Sequence, residues 1–284
     1  MLFRSDTDTD TDTDTDVYTF TADSGRTFTA IDVGGPEVCA LQDDGTLWCE
    51  GFTDSFAAPS GTFSSFTVGS GFACALDPAG AMTCWGDDQG MGLTTTPTGT
   101  YTEVSAGDLH ACALDSLGEV TCWGWDALAV ESPPAGPWSS VVSGRYVSCG
   151  LDGSGVAACW GEGVGMWTAS AARDGLDLRT WTEFRGGLSF CGKDGTGWGC
   201  WSDTATRTYD GMLDVFPGSD GICTLDTGNA SCDIEPDTDG WRETNDAPAG
   251  LYSTLSVGSA YSCGLSEDAT QITCWANYGE TSGE

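Results

Sequence analysis

Positive charge is nearly absent from this 284-residue chain: nine Lys and Arg stand against 43 Asp and Glu, for a net charge of −34. Lysine occurs once, at Lys193, and histidine once, at His110. Nucleic-acid binding relies on basic side chains that neutralise phosphates, so this composition excludes nucleic acid as a partner and disfavours anionic membrane surfaces. No apolar stretch approaches the ~20 residues of a transmembrane helix, which excludes membrane insertion. Residues 1–4 are too short for a signal peptide. CxxC-type clusters are missing too and, with a single histidine, leave no zinc-binding pattern. There is no Gly-x-Ser-x-Gly elbow and no phosphate-binding glycine loop. A general base needs an oriented partner, and a Ser-His-Asp triad around His110 is obtained only by choosing freely among many Ser and Asp. No catalytic residue, metal site or cofactor is therefore assigned, and His110 reads as a packing residue beside a turn.

What the chain does have is cysteine. Its 14 cysteines fall into seven pairs about ten residues apart: Cys39/Cys49, Cys74/Cys84, Cys112/Cys122, Cys149/Cys159, Cys191/Cys200, Cys223/Cys232 and Cys263/Cys274. First members recur at steps of 35, 38, 37, 42, 32 and 40 residues. A period near 37 that uses every cysteine predicts a repeat architecture in an oxidising compartment. The 41 glycines and the short Val/Thr/Phe/Tyr runs between Gly/Asp/Ser/Pro clusters predict an all-β chain.

The third repeat shows the unit best. Residues 101–105, 111–115 and 119–123 read as three strands, joined by a glycine-bearing turn at 106–109 and a hairpin loop at 116–118. Around that loop Leu114 faces Val120 and Cys112 faces Cys122. Directly opposed residues bring their Cβ atoms near disulfide range. Seven local bridges are expected, each stapling one hairpin and contributing about 2–3 kcal/mol. Between one repeat's third strand and the next repeat lie roughly 13–25 residues, room for a fourth, outer strand. Seven such sheets predict a β-propeller of four-stranded antiparallel blades. The alternating run at 17–21 is the spare strand, expected to pair with the last blade and close the ring.

Residues 5–16 read S-D-T-D-T-D-T-D-T-D-T-D, with no apolar residue to offset ordering entropy. Residues 1–16 are accordingly expected to be a disordered acidic linker, able to tether the body to a cell envelope, and 17–284 a single propeller. The tract lacks the glycine and spacing of a calcium loop. Seven cysteine pairs need an export route, so an export signal is expected upstream or already removed.

Trp85, Trp123, Trp160, Trp201 and Trp275 follow the second cysteine at a fixed register, which predicts packing between blades. In the first and sixth repeats that position holds Glu50 and Asp233 instead. Trp125, Trp167 and Trp241 lie off the register, in predicted loops. The turn before each first cysteine varies between repeats, as in Asp108-Leu109, Arg145-Tyr146, Asp220-Gly221 and Ala260-Tyr261. Variable turns on a constant frame mark a recognition face. Asp108, Arg145, Tyr146, Asp220, Tyr261, Trp125, Trp167 and Trp241 are the partner-binding candidates. Residues 43–48, D-D-G-T-L-W, resemble part of a sialidase-type aspartate box, but a hairpin turn accounts for them equally. Asn229-Ala230-Ser231 is an isolated glycosylation sequon.

Three segments carry a family resemblance: V-S-A-G-D-L-H-A-C-A-L at 104–114, G-E-V-T-C-W-G at 118–124 and C-W-G-D-D-Q-G-M-G at 84–92. They resemble the regulator of chromosome condensation repeats of seven-bladed propellers, and the extra cysteines are most similar to bacterial secreted members. The resemblance implies the fold over about residues 28–284. Propellers host many activities, so it does not fix one. The expected function is a secreted or cell-surface module, acting as a monomer, that binds a protein or glycan without catalysis. The alternatives are an extracellular enzyme inhibitor similar to the bacterial β-lactamase inhibitor propeller, or a polysaccharide hydrolase or lyase using paired carboxylates. Nucleotide exchange on a GTPase, an activity of eukaryotic relatives, conflicts with the compartment.

Overall fold

The structure, a computed structural model, describes residues 5–6, 17–22, 25–51, 56–125, 133–161, 180–186, 190–201, 206–210, 212–218, 221–234 and 247–276. Among them every regular element is a β-strand. The strands form seven antiparallel sheets, one for each cysteine pair. Two strands precede the repeats, β1 (Ser5–Asp6) and β2 (Val17–Thr21). Sheet one is β3 (Phe28–Val33), β4 (Val38–Gln42) and β5 (Leu47–Glu50). Sheet two is β6 (Ser65–Val68), β7 (Phe72–Leu76) and β8 (Met82–Gly86). Sheet three is β9 (Tyr101–Ala106), β10 (His110–Asp115) and β11 (Val120–Gly124). Sheet four is β12 (Trp138–Ser143), β13 (Ser148–Asp152) and β14 (Ala157–Trp160). Sheet five is β15 (Glu183–Gly186), β16 (Phe190–Lys193), β17 (Gly197–Trp201) and β18 (Thr206–Asp210). Sheet six is β19 (Asp214–Pro217), β20 (Gly221–Asp226) and β21 (Asn229–Ile234). Sheet seven is β22 (Tyr252–Val257), β23 (Tyr261–Ser266) and β24 (Gln271–Ala276).

Each disulfide joins directly opposed cysteines of the second and third strands of one sheet. The bridges are Cys39–Cys49, Cys74–Cys84, Cys112–Cys122, Cys149–Cys159, Cys191–Cys200, Cys223–Cys232 and Cys263–Cys274. The seven staples are alike in pairing but not in burial. Every first cysteine is buried, whereas on the third strands Cys49, Cys84 and Cys159 are only half-buried. Cys200 is buried between β16 and β18, with Arg207 opposite it on the outer strand. Cys122 and Cys232 are buried by the cores they share with Trp160 and with Trp275.

In sheet three Cys112 faces Cys122 and Leu114 faces Val120. The hairpin between those strands is set by an aspartate. Asp115 Oδ1 accepts hydrogen bonds from the Leu117 and Glu119 N–H groups at 2.8 and 2.9 Å. Asp44, Asp77, Asp152, Asp194 and Asp268 likewise accept from the N–H two residues on. Such an Asx turn fixes the chain reversal together with the backbone bonds of the hairpin, as from the Gly118 N–H to the Asp115 carbonyl. The D-D-G-T-L-W run is one of these turns.

The core lies between sheets. The second strands β4 and β7 are buried at every residue. Trp123 packs against Phe72, Leu76 and Leu93 of the preceding repeat, and its indole N–H donates to the Leu93 carbonyl at 3.0 Å. Trp160 and Trp275 fill the same gap one sheet back, against Leu114 and Val141 and against Phe216 and Leu225. The repeated tryptophan is thus inter-sheet filling; the Trp201 side chain lies outside the described residues.

Strand β2 pairs with β24, Val17 opposite Trp275 and Thr21 opposite Gln271. Sheet seven in turn packs on sheet one, where Phe20, Phe28, Val33, Cys263 and Ile272 share a core. Two expectations need correction. Only sheet five shows a fourth strand of its own repeat among the described residues. In sheet two the span after β8 is turn and coil from 87 to 100, because Asp88 gathers the Gly92 and Thr94 N–H groups into a local loop. Nor is the 1–16 tract wholly unpaired: Ser5 and Asp6 pair with Thr19 and Tyr18, since an open strand edge offers backbone partners to any sequence. Residues 7–16 lie outside the described residues.

Candidate functional site

The first strands β3, β6, β9, β12, β15, β19 and β22 surround a channel of about 300 Å³. Their ends read V-x-x-G or a variant, and the position two before the glycine points at the neighbouring sheet. Asp32 Oδ2 accepts from the Val68 N–H at 2.8 Å, Thr67 Oγ1 from Ala106 at 3.1 Å and Ser105 Oγ from Ser143 at 2.8 Å. Ser256 Oγ accepts from Val33 at 3.0 Å and donates to Asp32 Oδ1 at 3.0 Å. Arg185 makes the equivalent link with reversed polarity, donating from Nη1 to the Val215 carbonyl at 3.0 Å. Equivalent positions are joined in each case, so the first strands run side by side with their glycine-bearing ends on one side. The following glycines are required by proximity: a Cβ on Gly34 would overlap the Gly69 carbonyl oxygen, and one on Gly107 the Gly144 carbonyl oxygen.

The disulfides take no part in the channel. Its wall contains no cysteine, because first strands form it and the bridges lie between second and third strands. Cys49, Cys84, Cys122, Cys159, Cys200, Cys232 and Cys274 sit on third strands, one strand further out than their partners. Their part in any site is to hold the frame.

Charged groups inside this frame are committed to it. Arg185 pairs with Glu183 at 2.7 Å and Asp214 at 3.0 Å and stacks over Trp198 and Phe216 at 4.7 and 4.4 Å. Burial raises the Asp32 carboxyl above its ordinary range, against the opposing pull of its hydrogen bonds. Glu37 is 5% exposed, accepts from the Gly71 N–H at 3.3 Å, and is also raised by burial. Glu103 accepts from the Val141 N–H at 3.2 Å and is pushed up to about 7 by burial. His110 is 1% exposed, with Nε2 hydrogen-bonded to Ser148 Oγ at 2.7 Å, and burial lowers it to about 4. These carboxylates join sheets, an assignment different from the paired acids of a glycosidase.

The signs give a pH prediction. Folded Glu103 takes up its proton near pH 7, whereas the unfolded chain does so near 4.5, so acidification through that window adds stability. His110 acts oppositely: the unfolded chain protonates near 6.5 and the folded one near 4, so acidification through that window removes stability. Glu103→Gln keeps an acceptor for Val141 but removes the charge. Its stability is expected to exceed that of the parent at pH 8 by up to about 3 kcal/mol, at ~1.4 kcal/mol per pKa unit. Thermal melts should show the difference closing toward pH 5. A difference that does not change with pH would assign Glu103 no buried charge.

Four of the eight partner-binding candidates come together on the turn-bearing side. Arg145 Nε lies 3.4 Å from Asp108 Oδ2, and the two side chains are 41% and 31% exposed. The Arg145 guanidinium sits 5.1 Å from the Tyr146 ring centroid. Trp125 meets Tyr146 edge-on at 6.3 Å. The cluster bridges the turns of sheets three and four, and Asp108 also lines the channel mouth. Tyr261 is elsewhere, against Tyr18 at 6.0 Å between sheets seven and one. Trp167, Asp220 and Trp241 lie outside the described residues. Sequence reasoning missed Asp32, Glu103 and Arg185. Asp32 and Arg185 share their offset from the V-x-x-G glycine, which was the available signal for those two.

Residues 101–127 match the Regulator of chromosome condensation (RCC1) repeat. Among solved structures, the entire ectodomain of the Physcomitrella patens receptor kinase CR4 is 24% identical, with a TM-score of 0.71, over 89% of this chain and 74% of that one. The CRINKLY WD40 ectodomain of the Arabidopsis thaliana receptor kinase ACR4 is 22% identical, also with a TM-score of 0.71, over 89% of this chain and 97% of that one. Prp20p from Saccharomyces cerevisiae, studied for its binding to Gsp1p and histones, is 12% identical, with a TM-score of 0.62, over 89% of this chain and 83% of that one. No curated protein matches the chain. The fold is that of a β-propeller. One of its repeats is similar to an RCC1 repeat, and its fold is similar to that of RCC1-like propellers.

Proposed function

We propose that this protein is a secreted or cell-surface propeller, with residues 17–284 as one body behind an acidic leader, that binds a partner protein through its turn-bearing face and performs no catalysis. The observation that carries the reading is the cluster of Asp108, Trp125, Arg145 and Tyr146. Arginine, tyrosine and tryptophan are the anchors that dominate protein interfaces. Here they are half-exposed, held by one another and placed on variable turns over a rigid frame. Seven disulfides support the extracellular setting. The receptor-kinase ectodomains support it further as a setting in which this fold is used.

The test is capture of secreted and surface proteins from the producing organism on the immobilised protein. A double variant, Arg145→Ala with Tyr146→Ala, is expected to weaken capture at least tenfold, the scale of loss when central anchors are truncated. It should leave the melting temperature near that of the parent, because both side chains are solvent-facing. Undiminished capture by a folded double variant would remove this face from the role.

A further inference from the structure

Sheet one departs from the others at the residue after its second cysteine. Sheets two, three, four and seven place Trp85, Trp123, Trp160 and Trp275 there, each turned toward the preceding sheet. Sheet one places Glu50 there, paired with Val38 as the tryptophans are paired with their partners. Strand alternation turns Glu50 toward sheet seven. The indole that closes this gap elsewhere is missing, and a crevice of about 30 Å³ remains, with room for one small polar group. Its walls include Tyr18, Phe20, Val38, Glu50 and Tyr261.

Tyr18 and Tyr261 stand 6.0 Å apart with their planes inclined by 59°, and Phe20 is held in place against Trp48 at 4.8 Å. A carboxylate and two tyrosine rings lining one narrow, mainly apolar crevice form a set of groups that suits an organic cation. Aromatic rings attract a cation through their negative faces, and a carboxylate offers charge-assisted hydrogen bonds. The small volume suits a compact primary ammonium on a linear alkyl stem better than the wider guanidinium fork. A chain carrying −34 would concentrate such cations at its surface. Glu37 also lines the crevice, and its carboxylate accepts from the Gly71 N–H at 3.3 Å.

We propose that the crevice between sheets seven and one is a binding slot for an alkylammonium group, the tip of a lysine side chain, with Glu50 as the counter-charge and Tyr18 and Tyr261 as the aromatic walls. It opens beside the Pro36-Glu37 and Ala260-Tyr261 turns, the same turn position that carries Arg145 and Tyr146 in sheet four. That the lysine belongs to a partner protein rests on the binding function proposed above; the slot itself does not.

The experiment is titration of the full chain with a blocked Gly-Lys-Gly tripeptide, followed by calorimetry and by tyrosine and tryptophan fluorescence. Peptides with norleucine or Nε-acetyl-lysine in place of lysine are the controls. The lysine peptide should bind saturably and both controls at least about tenfold more weakly, the loss expected when a charge-assisted contact is removed. Glu50→Gln should weaken the lysine peptide to a similar degree. Glu50→Trp should abolish binding by restoring the residue that fills the gap in four other sheets, and its unchanged or raised melting temperature shows that it folds. Arg145→Ala should leave the titration untouched, so failure of the slot and failure of the sheet-three and sheet-four face are read separately. Equal binding of lysine and norleucine, full binding by Glu50→Gln, or no binding of the lysine peptide would each overturn the proposal.

Discussion

Protein unfolded with all fourteen cysteines reduced, then returned to native buffer with reductant present, is expected to stay without fixed tertiary structure. Each bridge closes a loop of 9–11 residues, and in the chain-entropy account such a loop contributes about 2–3 kcal/mol. Seven such contributions together, about 14–21 kcal/mol, match or exceed the roughly 5–15 kcal/mol by which a typical folded chain is stable. The bridged sulfurs are also part of the packing: Cys39, Cys74, Cys112, Cys191 and Cys263 are all 0% exposed. Near-UV circular dichroism of the tryptophans should return on refolding from the oxidised unfolded chain and remain flat for the reduced one. Replacing one pair alone, Cys112→Ala with Cys122→Ala, should cost about 2–3 kcal/mol in denaturant melts and leave the fold intact. A reduced chain that regains the native spectrum would make the bridges accessory and remove the chief support for an extracellular setting.

The second large effect is expected at a single methyl group. Gly34→Ala places a Cβ onto the carbonyl oxygen of Gly69 in the next sheet, with the Gly69 carbonyl carbon 2.7 Å away and Val68 Cγ1 at 3.0 Å. Backbone cannot swing aside as a flexible side chain does, so relief requires moving sheet one relative to sheet two. That movement would stretch the bond from Val68 N to Asp32 and strand a buried carboxylate. A loss of about 3 kcal/mol or more is expected, in the upper range for overpacking together with a broken buried hydrogen bond. Gly153→Ala is the control, because its Cβ would meet nothing within 4 Å. Comparable loss in both variants would refute the steric argument.

The sequence displayed the hairpins because their determinants are local. Cysteine spacing, an aspartate at each reversal and alternation through Leu114 and Val120 are all contained within fifteen residues. The same spacing said nothing of how well each sulfur is covered. Cys84 and Cys200 follow their partners at nearly equal distance, yet only Cys200 has an outer strand beside it. The pairing of Val17–Thr21 with the last sheet was legible for a different reason: a lone alternating run before the first repeat matched a strand shortage after the last. What stayed hidden depends on side chains that act across sheets. Asp32 looks like any surface aspartate in the run F-T-A-I-D-V, yet it accepts hydrogen bonds from Val68 and Ser256, 36 and 224 residues away. The cluster on which the proposed recognition face rests was half legible. Variation of the turns singled out Arg145 and Tyr146, while their meeting with Trp125, which follows the third strand of another sheet, required the folded chain. Among the described residues, the spans after β5 and β8 hold no outer strand, because linker length permits a strand without dictating one. In residues 87–100 a single carboxylate, that of Asp88, organises a loop instead.

Strand β2 finds its partner only across about 250 intervening residues, Val17 against Trp275. A nascent chain therefore exposes Phe20, finally 5% accessible, while all the material between is still being made. The molecule behaves as a clasp whose first half is forged at the start and whose second half arrives at the finish. A polypeptide arrested before residue 271 would keep unmatched amides on both β2 and β23, and the nearest complementary edge would belong to another such fragment.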